Sequence, residues 1–323
     1  MKRIAVLTSG GDAPGMNAAT RAIVRAGVAS GYEMLGVRRG YLGLIAGDFV
    51  PLGARDVGGI IHQGGTMLGT SRCNEFKTGD GQRQGLQQLR NRDVAALIVI
   101  GGNGSQSGAH ALAALGMPVI GVASTIDNDL VGSDIAIGTT TALDIALEAI
   151  DRLRVTAASH RRAFLVEVMG RHSGHLAAIA GITGGAEAIV VPELETSPER
   201  LAELLHASRA RGKSHAIVVV AEGAKHNAEA LSQYFHEHST RLGLELRVTR
   251  LGHVQRGGTP GVYDRMLATR LGAAAIEQLN AGARDILLGS CSGEVASTPL
   301  SQVAGRSKPL DTRLLELANM LAT

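Results

Sequence analysis

Four glycine-bearing settings hold most of the residues that could do chemistry. Ser9-Gly10-Gly11-Asp12-Ala13-Pro14-Gly15-Met16-Asn17 follows the apolar run Arg3–Thr8. Glycines there let backbone amides approach an anion, and a helix behind them would turn its positive end toward it. The spacing fits neither the dinucleotide fingerprint nor a Walker loop, so a phosphate cradle and a plain tight turn both stand open. Gly101-Gly102-Asn103-Gly104-Ser105 repeats the logic after Ala95–Ile100, with a helix expected from near Gln106. Thr125-Ile126-Asp127-Asn128-Asp129 brings two carboxylates two residues apart. On an extended loop they point the same way, as a general base for an alcohol and a metal-facing carboxylate would; an Asx-rich turn is the plainer reading. Last come arginines beside glycines: Arg72 after Gly64-Gly65-Thr66-Met67-Leu68-Gly69, Arg171 after Met169-Gly170, and Arg256 before Gly257-Gly258. Such a guanidinium fork can grip a phosphate without steric cover, although any single one is more readily a solvated surface group.

The elements that must position these loops read as repeated βα units. Strands are expected at Arg3–Thr8, Ala95–Ile100, Pro118–Val122, Ala163–Val168, Ala188–Val191 and His215–Ala221. Helices are expected at Met16–Ala29, Ala142–Ala157, Ser197–Ala210 and Asn227–Glu237. That order implies largely parallel sheets with ligands beyond the carboxyl ends of the strands.

Composition narrows the class. Of 323 residues, 45% are hydrophobic, Trp is absent, and only four Tyr and four Phe occur. Small and β-branched residues suit helices packed on a buried parallel sheet, and the scarcity of rings argues against binding nucleic acid by base stacking. A net charge of +3 is too small for a polyanion-binding protein. Cys73 and Cys291 have no metal or disulfide spacing, which fits a reducing compartment. No signal-peptide pattern opens the chain, and no apolar stretch reaches the ~18 residues of a membrane span. A cytoplasmic location without a membrane partner is expected. Gly212-Lys213-Ser214 only imitates the end of a Walker loop. His226, His236 and His238 read as a solvated helix face rather than a metal site, and Cys73 as a pocket-lining residue rather than a nucleophile.

Together the loops carry a resemblance. Gly10 to Asn17, the Gly-Gly-X-Gly-Ser loop, Thr125 to Asp129, Val168-Met169-Gly170-Arg171 and Leu251-Gly252-His253-Val254-Gln255-Arg256-Gly257-Gly258 occur in the order found in bacterial ATP-dependent 6-phosphofructokinases. The resemblance runs from residue 2 to about residue 305. It implies an α/β protein of two three-layer αβα lobes. Residues 1–138 with 255–305 would form the ATP lobe; 139–254 with 306–323 would form the fructose 6-phosphate and effector lobe. A homotetramer is implied, each sugar-phosphate site borrowing arginines from a neighbour.

The resemblance implies that ATP, with Mg²⁺, phosphorylates the 1-hydroxyl of fructose 6-phosphate in glycolysis. Asp127 would be the base, with Arg72, Thr125, Arg171 and the Gly11 amide around the transferring group. Met169, Gly170, Glu222, His253, Asp129 and Arg256 are expected on the sugar-phosphate side, and Arg162 and Arg247 to come from a neighbouring subunit. Tyr41, Cys73, Gly102, Asn103, Gly104, Ser105 and Gly108 match ATP-contacting positions, as does Lys77 where Arg is common. Pyrophosphate-dependent relatives carry Asp at the position of Gly104 and Lys at that of Ser124, so ATP is favoured over pyrophosphate here. Asn103 replaces the Asp associated with Mg²⁺; it keeps an oxygen but loses the charge, which implies weaker metal handling, or at the extreme a weak regulatory homologue. Arg21, Arg25, Arg154, Glu187, Arg211 and Lys213 match a site for ADP or phosphoenolpyruvate. Arg55 stands next to Ala54, where Arg is typical, and Gly59 replaces a typical Asp. An effector site with altered preference is expected.

Overall fold

The computed structural model describes residues 1–322. In chain order its elements are β1 (Arg3–Thr8), α1 (Met16–Ala29), β2 (Glu33–Val37), α2 (Gly40–Ala46), β3 (Phe49–Leu52), α3 (Gly79–Arg90), β4 (Val94–Gly101), α4 (Asn103–Ala114), β5 (Val119–Ala123) and α5 (Thr139–His160). There follow β6 (Ala163–Val168), α6 (His175–Thr183), β7 (Ala188–Val190), α7 (Pro198–Ala210), β8 (Ala216–Ala221), α8 (Ala228–Glu237), α9 (Ser239–Leu242) and β9 (Leu246–Arg250). The chain ends with α10 (Val262–Asn280), β10 (Ile286–Cys291), β11 (Glu294–Pro299), α11 (Leu300–Val303) and α12 (Arg313–Leu321).

Backbone proximity divides these elements into two units. The first comprises Met1–Thr141 and Arg256–Lys308, the second Ala142–Gln255 and the chain from Pro309. Two of these divisions fall later than residues 138 and 305, for visible reasons. Thr141 gives its amide and hydroxyl to the buried Asp264 carboxylate, at 2.7 and 2.6 Å, which fastens the first turn of α5 to the first unit. The Lys308 amide donates to the Asp129 carbonyl at 2.7 Å, which does the same for residues 306–308.

The first unit is built on a seven-stranded sheet in the order β11-β10-β5-β4-β1-β2-β3, parallel except at its two edges. Its central strands are apolar at successive positions because both faces are covered. Ala5, Leu7, Leu97 and Val99 face a core shared with Leu44, Leu86, Leu89, Leu112 and Leu300 from α2, α3, α4 and α11. The alternate residues Ile4, Val6, Ile98 and Ile100 are equally buried, on the side where α1 packs against α10. Those helices cross closely at Gly272, where an added Cβ would sit 2.8 Å from the Ala19 carbonyl oxygen. The strand order reverses between β1 and β4, and at such a switch the two following loops open a crevice.

The second unit has a four-stranded, wholly parallel sheet in the order β7-β8-β6-β9. Its order reverses at β6, so the loops after β6 and β9 lie side by side. Leu201, Leu205, Leu231 and Phe235 from α7 and α8 close one face of this sheet.

Sequence reasoning located β1, β4, β5, β6, β7 and β8 and passed over β2, β3, β9, β10 and β11. Each lacks the long apolar run. β2 is interrupted by Gly36, β3 contains Pro51 at the sheet edge, and β9, also an edge, carries exposed Arg247 and Arg250 among only two apolar residues.

Candidate active site

The crevice after β1 and β4 in the first unit is a cavity of about 700 Å³. At one end, Tyr41 and Phe76 stack with ring centroids 4.0 Å apart and planes 11° from parallel. The Tyr41 hydroxyl donates to the Ser105 carbonyl at 2.6 Å, and burial pushes its phenol above the usual range, so it stays a neutral donor. Tyr41 can lie on α4 only because residue 108 is glycine: a Cβ there would be 2.7 Å from the ring. Cys73 packs on the neighbouring core, and Lys77 lines the same end. A flat apolar slot with a cation at its rim suits a purine base.

At the other end stands the N-terminus of α4. The helix begins at Asn103, earlier than the expected Gln106, because Gly102 takes the extended cap conformation and places Asn103, Gly104 and Ser105 in the first turn. No side chain caps that turn, so its amides are left for an anion. The Ser105 hydroxyl is buried without a partner and lines the cavity, as Gly104 does. An added Cβ at Gly104 would meet nothing within 4 Å, so the space before it is open. Gly11, in the loop after β1, allows the Arg256 guanidinium to lie directly on the backbone, where Arg256 donates to the Asp12 carbonyl at 2.9 Å. Arg256, expected on the sugar-phosphate side, lines this cavity with Arg72.

The carboxylate loop forms the third wall. Asp127 and Asp129 both line the cavity, but not through the alternation of an extended loop. Asn128 between them is left-handed, with φ of 50°. An Asn is suited to that region, and here both ends of its side chain are used, Nδ2 to the Asp134 carbonyl at 2.9 Å and Oδ1 from the Ala136 amide at 3.0 Å. Thr125 takes the Asp127 amide on its hydroxyl at 3.2 Å. The Asn103 amide donates to the Asp129 carboxylate at 2.8 Å, while Asn103 Oδ1 is buried without a partner.

Three strand ends of the second unit carry the other candidates. Met169, Gly170 and Arg171 follow β6, Glu222 follows β8, and His253 lies in the turn after β9. Buried Gln255 accepts from the Met169 amide at 2.7 Å, and Gly170 takes a φ of 127° so that the chain can turn under Ser173. Arg162 and Arg247 are not with them. They sit at the opposite, amino ends of β6 and β9, Arg247 beside Phe164 in register.

The effector candidates fall into two groups. In the second unit Arg154 donates to the Gly184 and Gly185 carbonyls. Buried Glu187 accepts from the Ile217 amide at 2.6 Å and from Lys213 at 3.4 Å, and Arg211 donates to the Ala322 carbonyl at 2.9 Å. In the first unit, Arg21 and Arg25 lie on the outer side of α1, and Arg55 is exposed in a turn. Gly59 adopts a φ of 72°, a region that a restored Asp would enter only with strain.

Sequence reasoning missed Phe76, Ser107 and the segment 305–308. Phe76 had a signal: an aromatic residue close after Arg72 and Cys73 in a chain with only four phenylalanines. Ser307 and Lys308 had none, since nothing in their surroundings marks them.

Strand-end glycine loops at a switch point, a stacked aromatic pair at one end of the cavity, an uncapped helix N-terminus and two lining carboxylates are what an α/β nucleotide-dependent phosphotransferase needs. The model of the Phosphofructokinase family matches residues 3–279. The chain belongs to that family. It is 53% identical, over the whole of both chains, to ATP-dependent 6-phosphofructokinase 1 of Thermus thermophilus, and 48% identical over both full lengths to the ATP-dependent 6-phosphofructokinase of Thermotoga neapolitana. Among solved structures it resembles phosphofructokinase from Saccharomyces cerevisiae (37% identity, TM-score 0.85), covering 94% of this chain and 45% of the yeast chain. A pyrophosphate-dependent phosphofructokinase from Marinobacter aquaeolei shares the fold, with TM-score 0.86 over 97% of this chain and 86% of the other, at 22% identity.

Proposed function

We propose that this protein transfers the γ-phosphoryl group of ATP to the 1-hydroxyl of D-fructose 6-phosphate, giving D-fructose 1,6-bisphosphate and ADP. The cavity carries the reading: a stacked aromatic slot and an uncapped helix start, with Asp127 at the far wall. Asp127 accepts the hydroxyl proton as the 1-oxygen bonds to the γ-phosphorus and the bond to the bridging oxygen breaks, its electron pair leaving on ADP. The protein forms no covalent bond, so positioning and charge stabilisation dominate. Arg72, Thr125 and the Gly11 amide are assigned to the transferring group in the first unit. Arg171 has the same assignment by resemblance, and Met169, Gly170, Glu222, His253 and Asp129 are assigned to the sugar phosphate.

ATP is favoured over pyrophosphate by two positions. The space at Gly104 is open for an α-phosphate, and Ser124 is buried with its hydroxyl directed to the Ile137 carbonyl, so it supplies no cation. Mg²⁺ fits as a companion of the nucleotide rather than as a caged ion. Among the described residues no cluster of three His, Cys, Asp or Glu could hold it. The partnerless Asn103 Oδ1 and the Asp129 carboxylate are the oxygens the chain would offer, the phosphates and water completing the shell. The ion would neutralise charge on the phosphates. A cytoplasmic homotetramer sensitive to ADP or phosphoenolpyruvate is the assembly we infer.

The test is turnover of fructose 6-phosphate by the purified protein with ATP, then with pyrophosphate, across a Mg²⁺ titration. Activity with ATP alone, lost in Asp127→Asn, supports the reading. Activity with pyrophosphate alone overturns the donor assignment, and ligand binding without turnover by either donor points to a regulatory homologue.

A further inference from the structure

We propose that Lys308 is a positioning residue for phosphoryl transfer, holding the carboxylate loop against the first turn of α4. This rests on the kinase reading above.

The segment from Gly305 to Lys308 has no regular structure, yet it is bonded at both walls of the cavity. On the α4 side, the Gly305 amide donates to Ser107 Oγ at 3.3 Å, and Ser307 Oγ accepts from Asn103 Nδ2 at 3.2 Å. On the carboxylate side, the Lys308 amide donates to the Asp129 carbonyl at 2.7 Å, and its ammonium donates to the Ser133 and Asp134 carbonyls at 2.7 and 2.9 Å. One short strap therefore spans the loop that carries Asp127 and Asp129 and the helix turn assigned to the nucleotide phosphates.

The chemistry favours a lysine in that place. Two carbonyls converge on one point, and an ammonium can serve both with charge-assisted bonds. Its partial burial carries a cost: desolvation lowers its pKa, with Asp134 and Asp129 opposing the shift. What the strap holds is also an uncommon backbone turn. Asn128, between the two carboxylates, sits at positive φ, a conformation that persists when its surroundings over-determine it. The Asp134 carbonyl that receives Lys308 is the one that receives Asn128 Nδ2. Without the ammonium that turn loses a shared anchor, and the carboxylates on either side of Asn128 lose their fixed placement.

The experiment combines kinetics with amide hydrogen exchange on the full-length enzyme. In Lys308→Met, kcat should fall about 10²-fold, the cost of a misplacement near 1 Å, while KM for ATP stays within roughly threefold. Amides of residues 126–136 should exchange faster, with the rest of the first unit unchanged. Lys308→Arg, which keeps a charged head with several donors, should recover most of kcat. A folded Lys308→Met enzyme with kcat within twofold of wild type, or with unaltered exchange at 126–136, overturns the proposal. So does loosening of the whole unit with a matching rise in KM for ATP, because that marks a general structural role. If Lys308→Met does not fold, Lys308→Gln keeps two N–H donors without the charge and should show an intermediate kcat; failure of both to fold counts against a positioning role. A wild-type protein that phosphorylates no sugar defeats the kinase reading instead, and the exchange result then decides the strap alone.

Discussion

Asn103 meets the Asp129 carboxylate with an N–H, at a position where the family associates an acid with Mg²⁺. With Asp at 103, two carboxylates would face each other at the 2.8 Å that the amide now spans, a repulsion that a shared proton or a cation between them relieves. Asn103→Asp should therefore lose about 1–3 kcal/mol of stability in chelator and regain it with Mg²⁺, read as paired thermal unfolding curves. Its half-saturating Mg²⁺ in turnover should fall. Equal melting in both conditions would remove Asn103 from the metal argument. Donor choice belongs to the same scale. The double variant Gly104→Asp, Ser124→Lys should lower kcat/KM for ATP by at least about 10²-fold, since a carboxylate would occupy the open space before residue 104 and repel the phosphates. Steady-state rates with ATP and pyrophosphate check it, and an unchanged ATP rate would refute the role given to Gly104. The loops containing Asp127, Gly104 and Arg72 were legible because residue type announces their chemistry. The Asn103–Asp129 bond was not, because it joins side chains 26 positions apart and depends on the register of two strand ends.

At the scale of elements, α4 turns its uncapped start to the cavity and its Gly108 face to Tyr41. Gly108→Ala should displace the Tyr41–Phe76 stack and raise KM for ATP about tenfold with little change in kcat, the signature of lost binding common to ground and transition states. A fall in kcat at constant KM would show that the slot does more than hold the base. Phe76 and Lys77 are placed in turn by the start of α3, where Thr78 Oγ1 accepts the Gly81 amide at 3.2 Å. Thr78→Ala should cost about 1 kcal/mol, seen in denaturant titration. The helix at Met16–Ala29 could be read to the residue because its apolar face repeats at helical spacing between glycines. The strands around Gly36 and Pro51 could not: Gly36 breaks the apolar run of the interior β2, and β3, at the sheet edge, needs no such run and is fixed by the neighbour it pairs with.

For the whole molecule, the arginines assigned to a borrowed sugar-phosphate site provide the sharpest test of assembly. Arg162 and Arg247 stand at the amino ends of β6 and β9, away from Met169–Arg171 at the carboxyl ends of the same sheet. If each subunit lends them to a neighbour, Asp127→Asn and Arg162→Ala subunits, each inactive alone, should regain activity when co-assembled, because some sites then contain neither lesion. No recovery in verified hybrids would place Arg162 in its own subunit's chemistry or outside it. Effector response is expected to persist in altered form, and a fructose 6-phosphate saturation curve unmoved by both ADP and phosphoenolpyruvate would count against it. This scale was the least legible, since composition has no periodic signature for where one unit stops. The limits at Thr141 and Lys308 are set by single bonded residues.

The stacked ring in the nucleotide slot also has an optical consequence. A chain without tryptophan emits ultraviolet light only through its four phenols, and Tyr41 is the one that is buried. Dissolved iodide should quench the other three and spare it, leaving an intrinsic emission that dims when an adenine ring enters the slot. Nucleotide occupancy could thus be followed without label or coupled enzyme, in the native protein and in every variant that leaves Tyr41 in place.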